Sequence, residues 1–297
     1  MRYLLLFLIL GLVLISACNR NGVSGGRGTT IEFLKNQPPS TIYEDQTFQV
    51  GIQITNSADY DINGLLCVFD TPSDSFGGIP ERPCEPIIVD KGEQEKNKII
   101  PSTLITYLPS KGGVSYTNLV GSRINSNIVA SLEYSNEDTI RIETCLKRDP
   151  SIETKDVKCN SDTTITKIPT KGPVTITKIE QSVVPEAGNQ RVILDISLSN
   201  TVAGQVINSE NVGNEIEQEE NLLDINIGFL GTTSSFTCRP VKDGRIEFNR
   251  NERVINCNSI ISMNQDYYTD TLVIKLGYGY RITKTVSANL IPKNEEI

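Results

Sequence analysis

The sequence predicts an all-β chain that forms two tandem antiparallel β-sandwiches after an apolar N-terminal segment. Two observations support this fold class. Short runs rich in Val, Ile and Thr alternate apolar with polar residues, and clusters of Gly, Pro, Asn, Asp and Ser separate these runs. Two of the runs recur later in the chain at one common spacing, and no long apolar stripe of helical period competes with them.

The first element is the N-terminal segment. Arg2 precedes the apolar residues 4–15, a stretch long enough for the core of an export signal but shorter than the roughly 20 residues of a membrane-spanning helix. The stretch ends in residues 14–18 (LISAC), which resemble a lipobox. This resemblance implies cleavage before Cys18 and attachment of a diacylglyceryl group to its thiol, which gives a lipid anchor. The alternatives are an uncleaved signal-anchor helix and a secretory signal with an incidental cysteine.

The apolar stretch and the lipobox-like residues predict the roles of residues 1–28 and the cellular location of the chain. We expect residues 1–17 to form the signal peptide, and residues 18–28 to form a lipidated, glycine-rich flexible tether. The remainder is expected to be extracytoplasmic, anchored to the outer face of the cell membrane by the lipid.

Six further cysteines agree with that location. An even number of cysteines in an exported chain favours disulfides. The cysteines fall into three local couples, so the simplest connectivity joins Cys67 with Cys84, Cys145 with Cys159, and Cys238 with Cys257. Other pairings stay open at this point. A zinc site is the competing interpretation, but it needs closely spaced cysteines or nearby histidines, and the chain has neither.

A repeated strand pattern indicates tandem duplication. Residues 192–200 (VILDISLSN) follow residues 48–56 (FQVGIQITN) at an offset of 144, and residues 272–278 follow residues 128–134 at the same offset. We therefore expect one sandwich over residues 29–168 and another over 174–291. The Pro- and Gly-containing residues 169–173 would form a short stiff linker, and 292–297 a tail.

Further short runs complete about seven predicted strands per copy. Those of the first copy are residues 30–34, 65–70, 87–90, 102–107 and 139–146, and those of the second are 174–178, 224–229, 235–238, 253–257 and 280–290.

Several of these stretches resemble a known group of domains. Residues 38–44 (PPSTIYE), followed by the alternating run that ends at Asn56 and by residues 61–62, resemble the opening of CARDB-like and related immunoglobulin-like domains of archaeal and bacterial surface proteins. Residues 276–280 (LGYGY) and the region around Cys145 and Cys159 are similar to uncharacterised envelope proteins of small-genome archaea. The resemblance implies an immunoglobulin-like sandwich with a surface role and brings no catalytic residues.

The best candidate for a ligand site is a calcium site. Asp59, Asp61 and Asn63, with Asp70 eleven residues after Asp59, match the spacing of oxygen ligands in an EF-hand loop. The loop lacks flanking helices, and its last ligand would be Asp instead of Glu, so a polar turn between strands is the competing interpretation. No other cofactor is expected.

Composition narrows the function classes. The chain has no histidine, which removes the commonest general base, and its net charge of -8 does not suit nucleic acid. We interpret the acidic residues 210–221 as a solvated loop, and the tyrosines Tyr134, Tyr278 and Tyr280 as core residues, with docking surfaces as the alternatives. The chain is thus expected to be a non-enzymatic surface protein that contacts another surface protein or a glycan. A glycan or calcium module is the alternative, and a carboxylate-dependent hydrolase the remote one.

Overall fold

The computed structural model describes residues 28–71, 76–79, 84–95, 98–149, 159–186, 188–214, 221–232, 234–248 and 251–293. The signal segment and Cys18 lie outside these residues. The all-β prediction is confirmed: strands dominate the described chain, and a 3-10 helix spans Ser209–Asn211. No helix in the described part is both long enough and apolar enough to cross a membrane.

The strands, in chain order, are β1 Thr29–Phe33, β2 Thr41–Tyr43, β3 Val50–Asn56, β4 Ile62–Thr71, β5 Cys84–Val89, β6 Glu93–Glu95, β7 Lys98–Ile100, β8 Ser102–Leu108, β9 Ile124–Lys147, β10 Thr163–Ile165, β11 Val174–Glu186, β12 Asn189–Asn200, β13 Gln205–Ile207, β14 Leu222–Phe229, β15 Thr237–Arg239, β16 Arg245–Glu247, β17 Glu252–Ile261 and β18 Tyr267–Ile291.

A long sheet forms the back of the molecule. Its strand order is β16-β14-β18-β9-β4-β5, and the short strands β2 and β13 pair with parts of β18. Strands β9 and β18 pair antiparallel without a register shift, from Ile124 opposite Leu290 to Lys147 opposite Tyr267. At a rise of about 3.3 Å per residue, this ladder extends over roughly 80 Å. The two strands therefore run through both halves of the molecule.

The length of these two strands corrects the sequence prediction. The sequence suggested separate strands at 128–134 and 139–146, and again at 272–278 and 280–290, but each pair is one continuous strand. The polar residues 135–138 resemble a turn, yet they pair with residues 276–279. The alternation of inward and outward side chains along β9 continues through these residues. Asn136 faces inward, and its Nδ2 donates a hydrogen bond to the Tyr278 hydroxyl, 3.1 Å away.

Two smaller sheets pack side by side on one face of the long sheet. One has the order β1-β3-β8 and the other the order β10-β11-β12-β17-β15. Even-numbered side chains of β9 and β18 point toward them, and nearly all of these side chains are buried or half-buried along both strands. The buried apolar residues of the three sheets form one continuous core. A further hairpin, β6-β7, stands apart from the layers.

The strand plan is the same in the two halves. The order β5-β4-β9 mirrors β16-β14-β18 across the centre of the long sheet, and β1-β3-β8 corresponds to β11-β12-β17. Moving β9 along the sequence by the predicted offset of 144 residues places it on β18. Each long strand starts in one half and continues beneath the small sheet of the other. The halves are thus joined through these strands as well as through residues 169–173.

The strand β10 also crosses the predicted boundary. It precedes residue 168 in the sequence, yet it pairs antiparallel with β11 in the small sheet of the second half. In space, the second half therefore includes residues that the sequence placed in the first domain.

Candidate functional site

The predicted disulfide couples are joined in the structure. Bonds link Cys67 with Cys84, Cys145 with Cys159, and Cys238 with Cys257, at Cα separations of 4.0, 5.4 and 4.0 Å. The first and third connect residues directly opposite each other on neighbouring strands, β4 with β5 and β15 with β17. The second ties β9 to the segment before β10. The predicted lipidation residue, Cys18, lies outside the described residues.

The four predicted calcium ligands do not converge. Asn63 and Asp70 both lie on the continuous strand β4, where seven residues span about 23 Å. Asp61 accepts a hydrogen bond from the Lys91 amide at 2.8 Å, and Asp59 is exposed. Asp70 is buried and accepts hydrogen bonds from the Tyr116 hydroxyl and the Ile79 amide. The described residues contain no group of three or more His, Cys, Asp or Glu side chains suited to a metal ion.

A cluster of buried tyrosines marks the junction between the two halves. Tyr134, Tyr278 and Tyr280 are at most 1% exposed, which confirms their assignment to the core. The rings of Tyr134 and Tyr280 lie 5.8 Å apart, and those of Tyr278 and Tyr280 lie 6.5 Å apart. The Tyr280 hydroxyl donates toward Asn200 Oδ1 and the Val202 carbonyl oxygen, both at 2.9 Å.

Burial keeps this cluster uncharged. It raises the pKa of Tyr60, which packs at the edge of the cluster, to about 12, and it raises the pKa values of Tyr134, Tyr278 and Tyr280 well above the usual range of tyrosine. All four phenols are therefore neutral at physiological pH and act as packing and hydrogen-bonding groups.

The predicted linker is fixed against the same cluster. The Lys171 amide donates to Asp138 Oδ2 at 2.8 Å, and the Val174 amide donates to the Tyr278 hydroxyl at 3.1 Å. A Cβ at Gly172 would lie 2.3 Å from the Tyr278 hydroxyl oxygen, so only glycine allows this approach. These contacts hold the linker firmly against the junction.

On the opposite face of the long sheet, a loop covers a buried ion pair. The Arg281 side chain donates from Nε to Glu133 Oε1, and the Gly213 amide donates to Glu133 Oε2, both at 2.9 Å. Glu133 is fully buried. Residues 208–214, which include the start of the predicted acidic loop, therefore rest on the sheet instead of standing free in solvent. The remainder of that loop, residues 215–220, lies outside the described residues.

An open polar groove occupies the matching place in the second half. Gly277, which lies 144 residues after Glu133, forms part of its floor, and the groove measures about 510 Å³. Its sides carry Asp224 of β14 and Glu137 of β9, which flank Gly277 in the strand register. These strands lie two spacings, or about 10 Å, apart. The side chains that line the groove further include Ser135, Thr139, Asn226 and Lys275.

This arrangement suits a ligand rich in hydroxyl groups. The groove offers carboxylate, amide, hydroxyl and ammonium groups around a floor without a side chain, so a polar ring could approach the backbone closely. Asp224 also accepts a hydrogen bond from Arg245 Nε at 2.9 Å, which fixes one side of the groove. Sequence analysis missed this site. The available signal was the alternation Gly277-Tyr278-Gly279-Tyr280, which puts both tyrosines on one face of a strand and both glycines on the other.

A second cleft, of about 560 Å³, opens beside β14. Its lining mixes apolar side chains, among them Ile225, Phe229 and Phe236, with the hydroxyl groups of Thr232 and Ser235. The rings of Phe229 and Phe236 pack 5.3 Å apart.

Three further buried carboxylates, besides Glu133, accept hydrogen bonds from backbone amides or from a tyrosine hydroxyl. Asp138 is bound by the Lys171 amide, and Asp270 accepts from the Gly231 and Thr271 amides at 3.0 and 2.7 Å. Asp70 binds Tyr116, as described above. In these contacts the three carboxylates position neighbouring segments of the fold.

Comparison with known proteins provides no relative, because no family model and no curated protein matches the chain.

Proposed function

We propose that this protein is a non-enzymatic component of the cell envelope, anchored to the outer face of the membrane by a lipid on Cys18. Its two immunoglobulin-like copies would act in adhesion, envelope assembly or recognition of another surface protein. The resemblance of residues 14–18 to a lipobox and of residues 38–44 to CARDB-like domains supports this assignment.

The disulfide set is the observation that carries the proposal. Three disulfides indicate an oxidising, extracytoplasmic environment, because cytosolic thiols are kept reduced. The long ladder of β9 and β18 adds a mechanical argument. It connects both copies into a single extended body, which suits display away from a surface on a tether.

The intact mass of the native protein, extracted from membranes, tests this proposal. We expect loss of residues 1–17, a mass increase equal to a diacylglyceryl group, and six thiols that react with an alkylating reagent only after reduction. A chain that retains residues 1–17 would contradict the lipid anchor. Thiols that react without reduction would contradict the oxidising compartment.

A glycan-binding module is the second candidate, and the groove over Gly277 favours it. The full chain should bind members of a glycan array, and Glu137→Ala should weaken that binding because it removes an acceptor from the wall of the groove. Glu143→Ala is the matched control, since Glu143 is an exposed carboxylate of the same strand outside the groove. Equal loss in both variants, or no binding by the original chain, would contradict this function.

A further inference from the structure

The edge of the small sheet in the first half is bare. Strand β8 pairs with β3 on one side, and no strand or backbone group among the described residues pairs with its other side. Every second residue of Ser102–Leu108 therefore directs its backbone N–H and C=O away from β3, toward the other side of the strand. Such an edge can accept a further strand.

The sequence of β8 leaves this edge unprotected. Its seven residues, STLITYL, contain neither a charge nor a proline and are rich in residues that favour strands. On the outer face, Ile105 is 53% exposed and Tyr107 is 39% exposed. Pro101 and Pro109, which lack an N–H group, limit the free edge to these seven residues.

The other described strands at sheet edges are protected or short. Glu32 lies in β1 and Pro86 in β5, and β10, β15 and β16 have three residues each. Charges and prolines discourage pairing with another chain, and a three-residue strand offers few hydrogen bonds. β8 is therefore the one long uncharged edge in the described part of the chain.

The second half shows that the position accepts a strand. β17 corresponds to β8, and β15 pairs antiparallel with it from Thr237 opposite Asn258 to Arg239 opposite Asn256. Among the residues that the structure describes, no equivalent antiparallel partner lies beside β8. Antiparallel addition of a strand at this position thus already occurs once in the fold, where β15 pairs with β17.

We propose that β8 pairs antiparallel with β8 of a second copy of this chain, so that two small sheets join into one sheet of six strands. A two-fold axis at Ile105 places Ile105 opposite its counterpart, Thr103 opposite Tyr107, and Leu104 opposite Thr106. Each pair is apolar or β-branched and uncharged, as cross-strand stabilisation requires. If β8 carried charged residues, pairing with an identical strand would bring like charges together. The net charge of the whole chain is -8, so an uncharged edge favours the approach of two copies. Because β8 is uncharged and complementary to itself in this register, a second copy suits the edge, and this pairing rests on and specifies the assembly role proposed above.

Charge exchange at position 105 tests this interface. Two differently tagged forms of the full chain are purified together in detergent, and one is captured through its tag. Copies that both carry Ile105→Lys, or both Ile105→Glu, should associate at least about tenfold more weakly than the original pair, because like charges meet at the axis. A mixture of the Lys and Glu forms should recover the association. Val254→Lys, at a 58% exposed residue of β17, is the matched control and should leave association unchanged.

Sedimentation of each form in density-matched detergent provides the oligomeric state, and far-UV circular dichroism confirms the fold. A folded original chain that stays monomeric at every concentration would overturn the proposal, and so would a mixed Lys and Glu pair no stronger than the like-charged pairs. The mass of the same preparation reports the lipid separately. Failure of self-pairing is therefore distinguishable from failure of the membrane anchor.

Discussion

The two copies share a strand plan and differ in what covers their surfaces. In the second copy, β15 pairs with the edge of β17, and the Cys238–Cys257 disulfide joins the two strands. In the first half, no described strand pairs with the corresponding edge of β8. On the long sheet, the first half is covered and the second half is accessible. A loop covers Glu133 on strand β9, whereas Gly277 on β18 lines an open groove.

This difference shows where two halves with the same strand plan can differ. The inward residues of both copies pack into one core, so changes there affect both halves at once. Sheet edges and outer faces contact only local segments. A strand or loop that covers them can therefore be present or absent without disturbing the pairing of β9 with β18. We therefore expect binding properties to differ between the copies while stability depends on both.

Separating the copies should have the largest effect. A chain that ends at residue 173 lacks β18, the partner of β9 along its entire length, and should fail to fold. Circular dichroism and hydrogen exchange would show an unprotected chain. A chain that ends at residue 293 retains all described strands and is the control. Native-like exchange protection in the short chain would show that the first copy is independent.

Disruption of the covered ion pair should have the next largest effect. Glu133→Ala removes a fully buried carboxylate that accepts hydrogen bonds from Arg281 Nε and the Gly213 amide, and it should cost about 3–5 kcal/mol of unfolding free energy. Denaturant unfolding measures this loss. Glu186→Gln interrupts the exposed pair with Arg191 and should have little effect. Equal losses in the two variants would refute the structural role of the covered pair.

Removal of a cross-strand disulfide should cost somewhat less and should distinguish the copies. The double change of Cys238 and Cys257 to Ala opens a loop of 19 residues and should cost about 3 kcal/mol. It should also release β15, which has only three residues, so protease cleavage near residues 234–241 should increase. The same change at Cys67 and Cys84 should leave β5 protected, because six residue pairs hold it to β4. Release of β5 but not of β15 would contradict this comparison.

Alkaline pH should have the smallest effect per residue. The pKa of Tyr60 is about 12 in the fold and about 10 in an unfolded chain. The folded state therefore holds the Tyr60 proton more strongly than the unfolded state does. The resulting contribution to the free energy of unfolding is complete below pH 10 and is lost as the pH rises through 12. Two pKa units correspond to roughly 2–3 kcal/mol. Tyr60→Phe should reduce the loss of unfolding free energy between pH 10 and 12, as measured by denaturant unfolding at each pH.

Alternating residues predicted most of the strands and the sequence spacing predicted the disulfide couples, because both depend on local pattern. The strand at residues 102–107 and the strand β8 differ by one residue, for example. The continuity of β9 was missed because residues 135–138 have the composition of a turn, and only pairing with β18 explains their extended form. The groove over Gly277 was missed for a related reason. It depends on three strands, β9, β14 and β18, that are far apart in sequence.

The pairing of β9 with β18 also sets the time at which the protein can fold. Ile124 finds its partner, Leu290, only when the last strand has been synthesised. Contacts of such wide sequence separation form slowly, since a long loop must close before any interaction stabilises it. The core cannot be completed before β18 has left the ribosome, so the emerging polypeptide stays open and extensible until that strand has been synthesised.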